Sequence, residues 1–453
     1  MAASTESRHG MWSSRWLFVL AAAGSAVGLG NIWKFPYITG ENGGGAFVLI
    51  YLACVAFVGL PIMMAEVLLG REGRQSPINT MRTLAQRHNR NPLWVLLGWM
   101  GVLAGFLILS YYVVIAGWAL YYVGEMADGA FYQASAETAS ATFSRFQADP
   151  LQMILWQTLF MVVTVFIISK GVIKGLERAI RWFMPLLFML LLLLLGYAFN
   201  TESFGEGVRF MFALNWEDVT SETVLIAMGQ AFFTLSLGMG AIMAYGAYLP
   251  ASASIGSTVV FIAGLDTLVA VAAGLAIFPI VFANGLEPSQ GPGLMFVTLP
   301  LAFGQMPLGA VFGTLFFVLV SFAAITSAIS ISEPALAYLV EEYNAKRGRV
   351  AISLGVIAWI LGIGTVLSFN VWADVHIVGS LTFFDFVDYV SQNVMLPLGG
   401  MLISLFAAWG LPRTVIGEQL GIQSGWVNVV WKLLCGVIAP VCVLVVFIST
   451  LLG

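Results

Sequence analysis

Two apolar segments of this sequence are interrupted by glycines. The first reads GSAVGLGN and contains Gly24, Gly28 and Gly30, and the second reads TLSLGMG and contains Gly238 and Gly240. A glycine costs an α-helix about 1 kcal/mol relative to alanine, so such clusters favour a break. A broken helix exposes backbone N–H groups that can bind a carboxylate and C=O groups that can bind Na⁺. The alternative interpretation is a face of small residues for close helix packing.

The composition indicates that these segments lie in lipid. Of 453 residues, 60% are hydrophobic and 9% are charged, whereas soluble chains carry about 25% charged residues. A net charge of −4 gives no reason to expect nucleic acid as a partner. Cys54, Cys435 and Cys442 lie in apolar runs without metal-binding or disulfide spacing, so we interpret them as packing residues. The sequence therefore predicts an integral protein of the lipid bilayer.

Eleven apolar segments are long enough to be transmembrane spans. Helices are expected because lipid offers the backbone no hydrogen-bond partners, and runs such as PLLFMLLLLLLG lack the alternation of barrel strands. We predict an all-α integral membrane protein with 11 transmembrane helices. The predicted spans are Trp12–Tyr37, Gly44–Leu69, Pro92–Val123, Leu151–Ser169, Leu176–Phe199, Glu222–Tyr248, Thr258–Phe282, Pro307–Val340, Val350–Phe369, Gly379–Leu411 and Val427–Leu452.

The two glycine-interrupted segments are the first and the sixth of these spans. This separation by one set of five is typical of a 5+5 inverted repeat with one broken helix in each half, and it points to the central binding site of a secondary transporter. The separation favours helix breaks over a packing face. We expect a cytoplasmic N-terminal segment, a first repeat, an extracellular loop, a second repeat and a final span, at residues 1–11, 12–199, 200–221, 222–411 and 427–452.

The distribution of basic residues predicts the orientation. All Lys and Arg residues except Lys34, Arg145 and Arg209 fall on one side of the predicted spans, and the positive-inside rule makes that side cytoplasmic. The N-terminus is then cytoplasmic and, after eleven spans, the C-terminus is extracytoplasmic. From the residues alone, Arg8, Arg15 and the apolar run that follows could instead form a cleaved signal peptide.

Long motifs in the same order resemble the neurotransmitter:sodium symporter family. They are SSRWLFVLAAAGSAVGLGNIWKFPY in the first span, GLPIMMAEVLLGREGR in the second, SYYVVIAGW in the third, GQAFFTLSLGMGAIMAYGAY in the sixth and AAITSAISISEPALAYL in the eighth. The pattern is similar to that of the bacterial amino-acid-transporting branch, including multi-hydrophobic amino acid transporters. This resemblance implies a LeuT-like fold with helices 1 and 6 unwound, an uncleaved first span and a multi-pass location in the bacterial inner membrane.

The resemblance also implies two Na⁺ sites built from oxygen ligands, which a hard cation prefers. The first would consist of the substrate carboxylate, the Ala26 carbonyl and the side chains of Asn31, Thr234 and Asp266. The second would consist of the carbonyls of Gly24, Val27 and Ala323 and the hydroxyls of Thr326 and Ser327. On the residues alone, these last two hydroxyls could equally bond back to the preceding helical turn.

Asp266 departs from the pattern of several relatives, which have an amide at this position. A carboxylate in the middle of a membrane is costly and is a functional candidate by default. We hypothesise that it supplies a fixed negative charge beside the first Na⁺, which chloride-dependent relatives obtain from a bound Cl⁻. The protein should then be chloride-independent. The alternative is a structural acid paired with a donor on a neighbouring helix.

The substrate would bind at the breaks, according to the resemblance. Its carboxylate would contact the N–H groups of Leu29 and Gly30 and the hydroxyl of Tyr112. Its amine would contact Ser236 and the carbonyls of Ala26, Phe232 and Thr234. At Gly28, amine-transporting relatives carry an Asp that holds the ammonium. A glycine here indicates that the substrate brings its own carboxylate and is an amino acid.

The side chain of that amino acid would enter a pocket without charged groups, which disfavours charged substrates. Met is flexible and adapts to different shapes, so Met239 favours a broad hydrophobic range that includes Leu, Trp, Tyr, Phe and Met-like side chains. The pocket residues would be Ile108, Tyr112, Phe233, Met239, Ser327 and Ile331.

Two sets of residues resemble the gates of the family. Phe233 and Tyr112 would cover the substrate. Lys34 and Asp388 would form the outer ion pair, although Lys34 could alternatively be an interfacial anchor with its ammonium in the headgroup region. On the cytoplasmic side Arg8 would pair with Glu341, with Tyr248 as a second partner.

Two further features would support the breaks and the inner route. Glu66 would accept hydrogen bonds from N–H groups exposed at the broken helices. Gly175 and Pro185 would allow the fifth span to unwind and admit water to the second Na⁺ site, the alternative being an ordinary helix start followed by a proline kink.

These predictions describe a Na⁺-coupled importer of hydrophobic amino acids that works by alternating access and is not an enzyme. A channel would need a filter motif or pore ring, which the sequence lacks. An intramembrane enzyme would need a nucleophile or metal cluster, but His9, His88 and His376 all lie outside the predicted spans. A carrier of another small zwitterion, or an amino-acid sensor that keeps the same site without transport, remains as an alternative.

Overall fold

The computed structural model describes residues 15–171, 178–217, 219–287, 293–421 and 425–452. Apart from one isolated bridge between Val378 and Leu381, the regular structure in these ranges is helical. The helices are α1 Arg15–Ala26, α2 Gly30–Glu41, α3 Gly45–Gly73, α4 Pro77–Arg87, α5 Pro92–Ala127, α6 Ala136–Ala148, α7 Pro150–Ser169, α8 Arg178–Phe199, α9 Phe204–Phe212, α10 Ser221–Thr234, α11 Ala241–Ala247, α12 Ile255–Ala283, α13 Leu294–Gly304, α14 Gly309–Tyr343, α15 Arg347–Ser368, α16 Phe383–Gly410, α17 Arg413–Leu420 and α18 (Gly425–Leu433, Leu434–Ile438 and Ala439–Leu452).

Within the described ranges, nine helices are long and apolar enough to cross a membrane, and the bent pair α1 and α2 can be counted as a tenth span. The predicted sixth span is divided between α10, of 14 residues, and α11, of 7 residues. Each is shorter than the roughly 20 residues that a crossing needs. The all-helical prediction is confirmed, whereas the count of eleven transmembrane helices stays a prediction.

The first break separates α1 from α2 and bends the chain by 47°. The chain leaves the α-helix after Ala26 and resumes a helical path at Gly30. The N–H of Asn31 bonds to the Gly28 carbonyl at 3.2 Å, which closes a shorter turn than an α-helix would. The carbonyls of Ser25 and Val27 are therefore left to accept bonds from side chains of other helices.

The second break, residues 235–240, separates α10 from α11. Its backbone has positive φ at Ser236 (55°), Gly238 (81°) and Gly240 (75°). A β-carbon at Gly238 would lie 2.3 Å from the Leu396 carbonyl oxygen of α16, so this close approach needs glycine. Ser236 has a positive φ although it is not a glycine, and its hydroxyl donates to the carbonyl of Ser25, in the last turn of α1, at 3.2 Å. The second break thus contacts the end of α1 beside the first break.

The long helices hold the breaks in place. α14 is the most enclosed of the long helices and packs against both α1 and α5. α8 contains Pro185 without interruption of the helix, and it places the Met184 sulfur against Gly24 of α1. Gly175, the other residue proposed for unwinding, lies outside the described residues.

Candidate functional site

Three side chains from different helices meet beside the first break. The Asn31 amide of α2 donates to Oδ1 of Asp266 at 2.7 Å and to the Asp266 carbonyl at 3.1 Å. The Thr234 hydroxyl, at the end of α10, lies 3.0 and 3.1 Å from the two carboxylate oxygens. All three residues are buried. In the described part of the chain, neutral groups alone bond to this carboxylate.

A buried carboxylate without a cationic partner suits a Na⁺ site. A buried charge is costly unless it is paired, and a bound cation would supply the missing positive charge. The carboxylate, amide and hydroxyl oxygens of this group are ligands of the type that Na⁺ prefers. Asn31 also accepts a bond from the Gly28 N–H at 2.9 Å, so the group is attached to the break itself.

A second oxygen-rich group lies where α14 passes the first break. The Ser327 hydroxyl lies 3.2 Å from the Ser25 carbonyl and 3.3 Å from the Val27 carbonyl. The Thr326 hydroxyl instead donates to the Ala323 carbonyl, one turn earlier in its own helix, at 2.9 Å. Ser327 therefore joins the two helices, whereas Thr326 makes the local bond. Of the oxygens proposed for the second Na⁺ site, the Val27 carbonyl thus contacts Ser327 and the Ala323 carbonyl contacts Thr326.

A small cavity of about 20 Å³ lies between the two breaks, α5 and α14. All predicted substrate-site residues except Phe232 and Thr234 line it, together with Ser25, which the sequence pattern had not singled out. Its lining includes no charged side chain. Ligand pockets usually measure about 300–1,000 Å³, so the lining residues must separate to admit a solute. The lining residues are Ser25, Ala26, Gly28, Leu29, Gly30, Ile108, Tyr112, Phe233, Ser236, Met239, Ser327 and Ile331.

The polar groups of this cavity come mainly from backbone and hydroxyls. The Leu29 N–H donates to the Tyr112 hydroxyl at 3.4 Å. A β-carbon on Gly28 would lie 2.3 Å from the Ser327 hydroxyl oxygen and 3.1 Å from that of Tyr112. A side chain at this position would require Ser327 to move, and with glycine the chain provides no carboxylate there.

Phe233 lies between this cavity and a second one of about 660 Å³ on the side of Lys34 and Gln392, which we call the outer cavity. Both cavities include Phe233 in their lining, and the Lys34 ammonium lies 4.5 Å from the centre of its ring. Phe232 lines the outer cavity, and Thr234 turns towards Asp266. A cation over an aromatic face is an attractive contact, so Lys34 helps to hold the ring in place.

The predicted Lys34–Asp388 gate contains a third member. Lys34 donates to the Gln392 side-chain oxygen at 2.9 Å. The Gln392 amide donates in turn to Oδ1 of Asp388 and, at 2.9 Å, to the Tyr111 hydroxyl. The predicted direct pair is thus bridged by a glutamine that sequence reasoning missed. Its position four residues after Asp388, on one helix face, was the available signal.

On the opposite side, a buried ion pair joins α14 to α15. The Arg347 guanidinium donates to Oε1 of Glu333 at 3.0 Å, and the Tyr248 hydroxyl bonds to the same oxygen at 3.1 Å. Sequence reasoning missed Glu333, although an acid inside the apolar SISEPAL run was a detectable signal. Glu341 accepts bonds from the Ser76 N–H at 2.9 Å, which places it at the start of α4. Arg8, its proposed partner, lies outside the described residues.

Glu66 connects α3 to the second break. It is fully buried, and its Oε1 accepts the N–H of Gly238 at 2.7 Å. This N–H has no helical partner because the chain is non-helical there. The carboxylate therefore satisfies one of the polar groups that the break leaves free.

Comparison with known proteins identifies relatives along the whole chain. The model of the sodium:neurotransmitter symporter family matches residues 9–128 and 125–453. An uncharacterized sodium-dependent transporter of Bacillus subtilis, YhdH, is 38% identical and covers 98% of both chains. The sodium- and chloride-dependent GABA transporter 2 of Homo sapiens is 24% identical over 88% of this chain and 73% of its own. The crystal structure of MhsT in complex with L-phenylalanine superposes with a TM-score of 0.90, at 45% identity, over 97% of this chain and 99% of that one.

The buried ion pair between Glu333 and Arg347 leads to a prediction about stability. Arg347→Gln leaves the fully buried Glu333 without its cation, and we expect the free energy of unfolding to fall by about 3–5 kcal/mol. Thermal unfolding of the purified protein in detergent measures this loss. Arg82→Gln is the matched control, because the Arg82–Glu342 pair is 40% and 36% exposed and should contribute about 0–1 kcal/mol. Equal losses in the two variants would show that the buried pair does not stabilise the closed inner side.

Proposed function

Since this chain belongs to the sodium:neurotransmitter symporter family, we propose that it is a symporter that couples the import of hydrophobic and aromatic L-amino acids to Na⁺. Members of the family are multi-pass membrane transporters that use Na⁺, and they are not enzymes. The identity of the solute, the number of ions and the orientation are the parts that we propose here.

The lining of the central cavity supports a hydrophobic amino acid as the solute. This lining offers the backbone N–H groups of Leu29 and Gly30 and the Tyr112 hydroxyl to a carboxylate, in place of the present contact between Leu29 and Tyr112, and apolar side chains to the rest of the molecule. Gly28 excludes an acidic side chain, so an amine without its own carboxylate would lack an anionic partner here. MhsT, at 45% identity, is a structure in complex with L-phenylalanine, which supports a hydrophobic amino acid as the solute.

Two Na⁺ ions accompany each solute molecule in this proposal. One occupies the group of Asn31, Thr234 and Asp266, where the solute carboxylate would complete the shell. The other lies between the Val27 carbonyl and Ser327. Two charges moving with a zwitterion gain about 2.3 kcal/mol per charge per 100 mV of membrane potential. The residues of both proposed ion sites and of the solute site lie at the first break, so binding of Na⁺ would favour binding of the solute.

Alternating access follows from the arrangement of the barriers. Displacement of Phe233 opens the central cavity to the outer cavity, and separation of the Glu333–Arg347–Tyr248 contacts opens the other side. We place the outer cavity outside the cell, since the basic loops lie on the side of Arg347. The protein would then lie in the bacterial cytoplasmic membrane with its N-terminus inside.

Uptake into proteoliposomes tests the function. An inward Na⁺ gradient should drive saturable uptake of radiolabelled Leu, and among the twenty amino acids, unlabelled Trp, Phe, Tyr and Met should compete whereas Lys, Arg, Asp and Glu should not. Replacing Na⁺ by choline should abolish uptake. Uptake that is unchanged without Na⁺ would overturn both ion sites. Tight binding of Leu without uptake would identify a sensor instead.

The carboxylate of Asp266 leads to a separate prediction about chloride dependence. Because a fixed carboxylate already lies in the first ion group, replacing Cl⁻ by gluconate on both sides of the proteoliposome should leave Na⁺-driven uptake unchanged. Asp266→Asn removes that charge and should raise the Na⁺ concentration needed for half-maximal uptake. Collapse of wild-type uptake in gluconate would contradict the proposed role of this carboxylate.

Met239 should set the upper size of the solute. Met239→Phe replaces a flexible side chain with a rigid ring, and we expect the affinity for Trp to fall by about tenfold or more while Leu binding changes less. Competition against labelled Leu gives both affinities in one assay. Met189→Phe is the control, because Met189 is 51% exposed on α8. A greater loss for Leu than for Trp would count against this side-chain pocket.

A further inference from the structure

A third cavity, lined almost entirely by apolar side chains, lies on the surface of the molecule between α5 and α16, apart from the transport site. Its volume is about 400 Å³, and its lining is apolar except for Asn91. Leu93 and Leu96 in its wall are 65% and 57% exposed. No other side chain of the described residues therefore covers these two leucines. We call it the lipid-side groove. Its lining residues are Asn91, Leu93, Trp94, Leu96, Leu97, Met100 and Leu402.

A row of side chains on α16 connects the wall of the groove with a group of basic residues. Leu402, Phe406 and Trp409 follow one another at helical spacing, and the buried Phe406 packs against Trp94 of the groove wall with ring centres 5.0 Å apart. At the end of this row the Lys432 ammonium lies 4.0 Å from the centre of the Trp409 ring. Packed aromatic rings therefore join the wall of the groove to a cation.

Two further cations lie at the same end. The Arg90 guanidinium donates to the carbonyls of Gly410 at 2.7 Å and Trp409 at 3.3 Å, which fixes it at the end of α16. Arg413 is exposed and close enough to Lys432 for their charges to repel. Three basic residues thus lie near the end of α16, and Arg90 directly precedes Asn91 of the groove lining.

Two of these cations have no acidic partner in the part of the chain that the structure describes. Neither Lys432 nor Arg413 forms a hydrogen bond or ion pair with a carboxylate there. Glu418 shares α17 with Arg413 but pairs with neither cation. Lys432 keeps its ammonium donors, because a contact with a ring face uses none of them in a hydrogen bond. The repulsion between adjacent cations is relieved when an anion binds between them.

We propose that the lipid-side groove and these cations bind an anionic phospholipid. An acyl chain lies along Leu93, Leu96 and Leu402, and the headgroup phosphate lies against Lys432 and Arg413. Basic pockets between transmembrane helices at the cytoplasmic side suit such headgroups, and tryptophans are frequent at this depth. A zwitterionic lipid would bring its own cation to this cluster, so a net negative headgroup is preferred. The site is separate from the solute cavity and does not depend on which solute is transported.

Native mass spectrometry of the full chain in detergent tests this site. The protein is titrated with palmitoyl-oleoyl phosphatidylglycerol or with the phosphatidylcholine of the same acyl chains. We expect the wild type to retain the phosphatidylglycerol several-fold better. The double variant Lys432→Gln, Arg413→Gln should lose this preference. Leu93→Trp, at an exposed position, should fill the groove and reduce retention of phosphatidylglycerol while all the charges remain.

Lys170→Gln is the matched control, since Lys170 also lies over an aromatic ring, that of Phe166 at 4.7 Å, but outside the groove. It should retain the lipid preference. A monodisperse elution profile and Na⁺-driven uptake verify that each variant is folded. Equal retention of the two lipids by the wild type, or an equal loss in Lys170→Gln and the double variant, would overturn the proposal. Loss of a dimer instead of a lipid adduct would assign the groove to a second copy of the chain.

Discussion

The backbone polar groups at the two helix breaks need hydrogen-bond partners, and much of the central structure serves to supply them. In lipid a free N–H or C=O is costly, so irregular backbone is tolerated where the protein surrounds it. Glu66 accepts the Gly238 N–H, Asn31 accepts that of Gly28, and Ser327 bonds to the carbonyls of Ser25 and Val27. Each partner comes from a different helix. The same groups that stabilise the breaks therefore decide which helices must move when a solute or an ion binds there.

Different kinds of interaction close the two sides of the central cavity. On one side the contact between Lys34 and Phe233 is a cation over a ring, with Gln392 connecting the lysine to Asp388. On the other side a fully buried carboxylate is paired with an arginine and a tyrosine. The first arrangement can be displaced one side chain at a time. The second needs all its members to separate together, because a single buried charge left behind is costly.

Much of the fold was predictable because the sequence is so apolar. Long hydrophobic segments gave helix positions that agree with the structure to within a few residues, and glycine clusters gave both breaks. The details depend on the direction of side chains, which spacing alone does not provide. Thr234 turns to Asp266 rather than to the cavity, and Thr326 bonds within its own helix whereas Ser327 crosses to another. Gln392 and Glu333 were missed for a related reason, since their importance lies in which partners the fold brings to them.

The two sides of the central cavity differ in how quickly they can open. A solute in the central cavity is separated from about 660 Å³ of open space by the ring of Phe233. Rotations of accessible side chains occur in picoseconds to nanoseconds, whereas collective motions of packed helices take microseconds to milliseconds. In the proposed alternating-access cycle, binding from the side of Lys34 would therefore equilibrate many times before the contacts around Arg347 separate once. The helical step, rather than the encounter with the solute, would then limit each cycle.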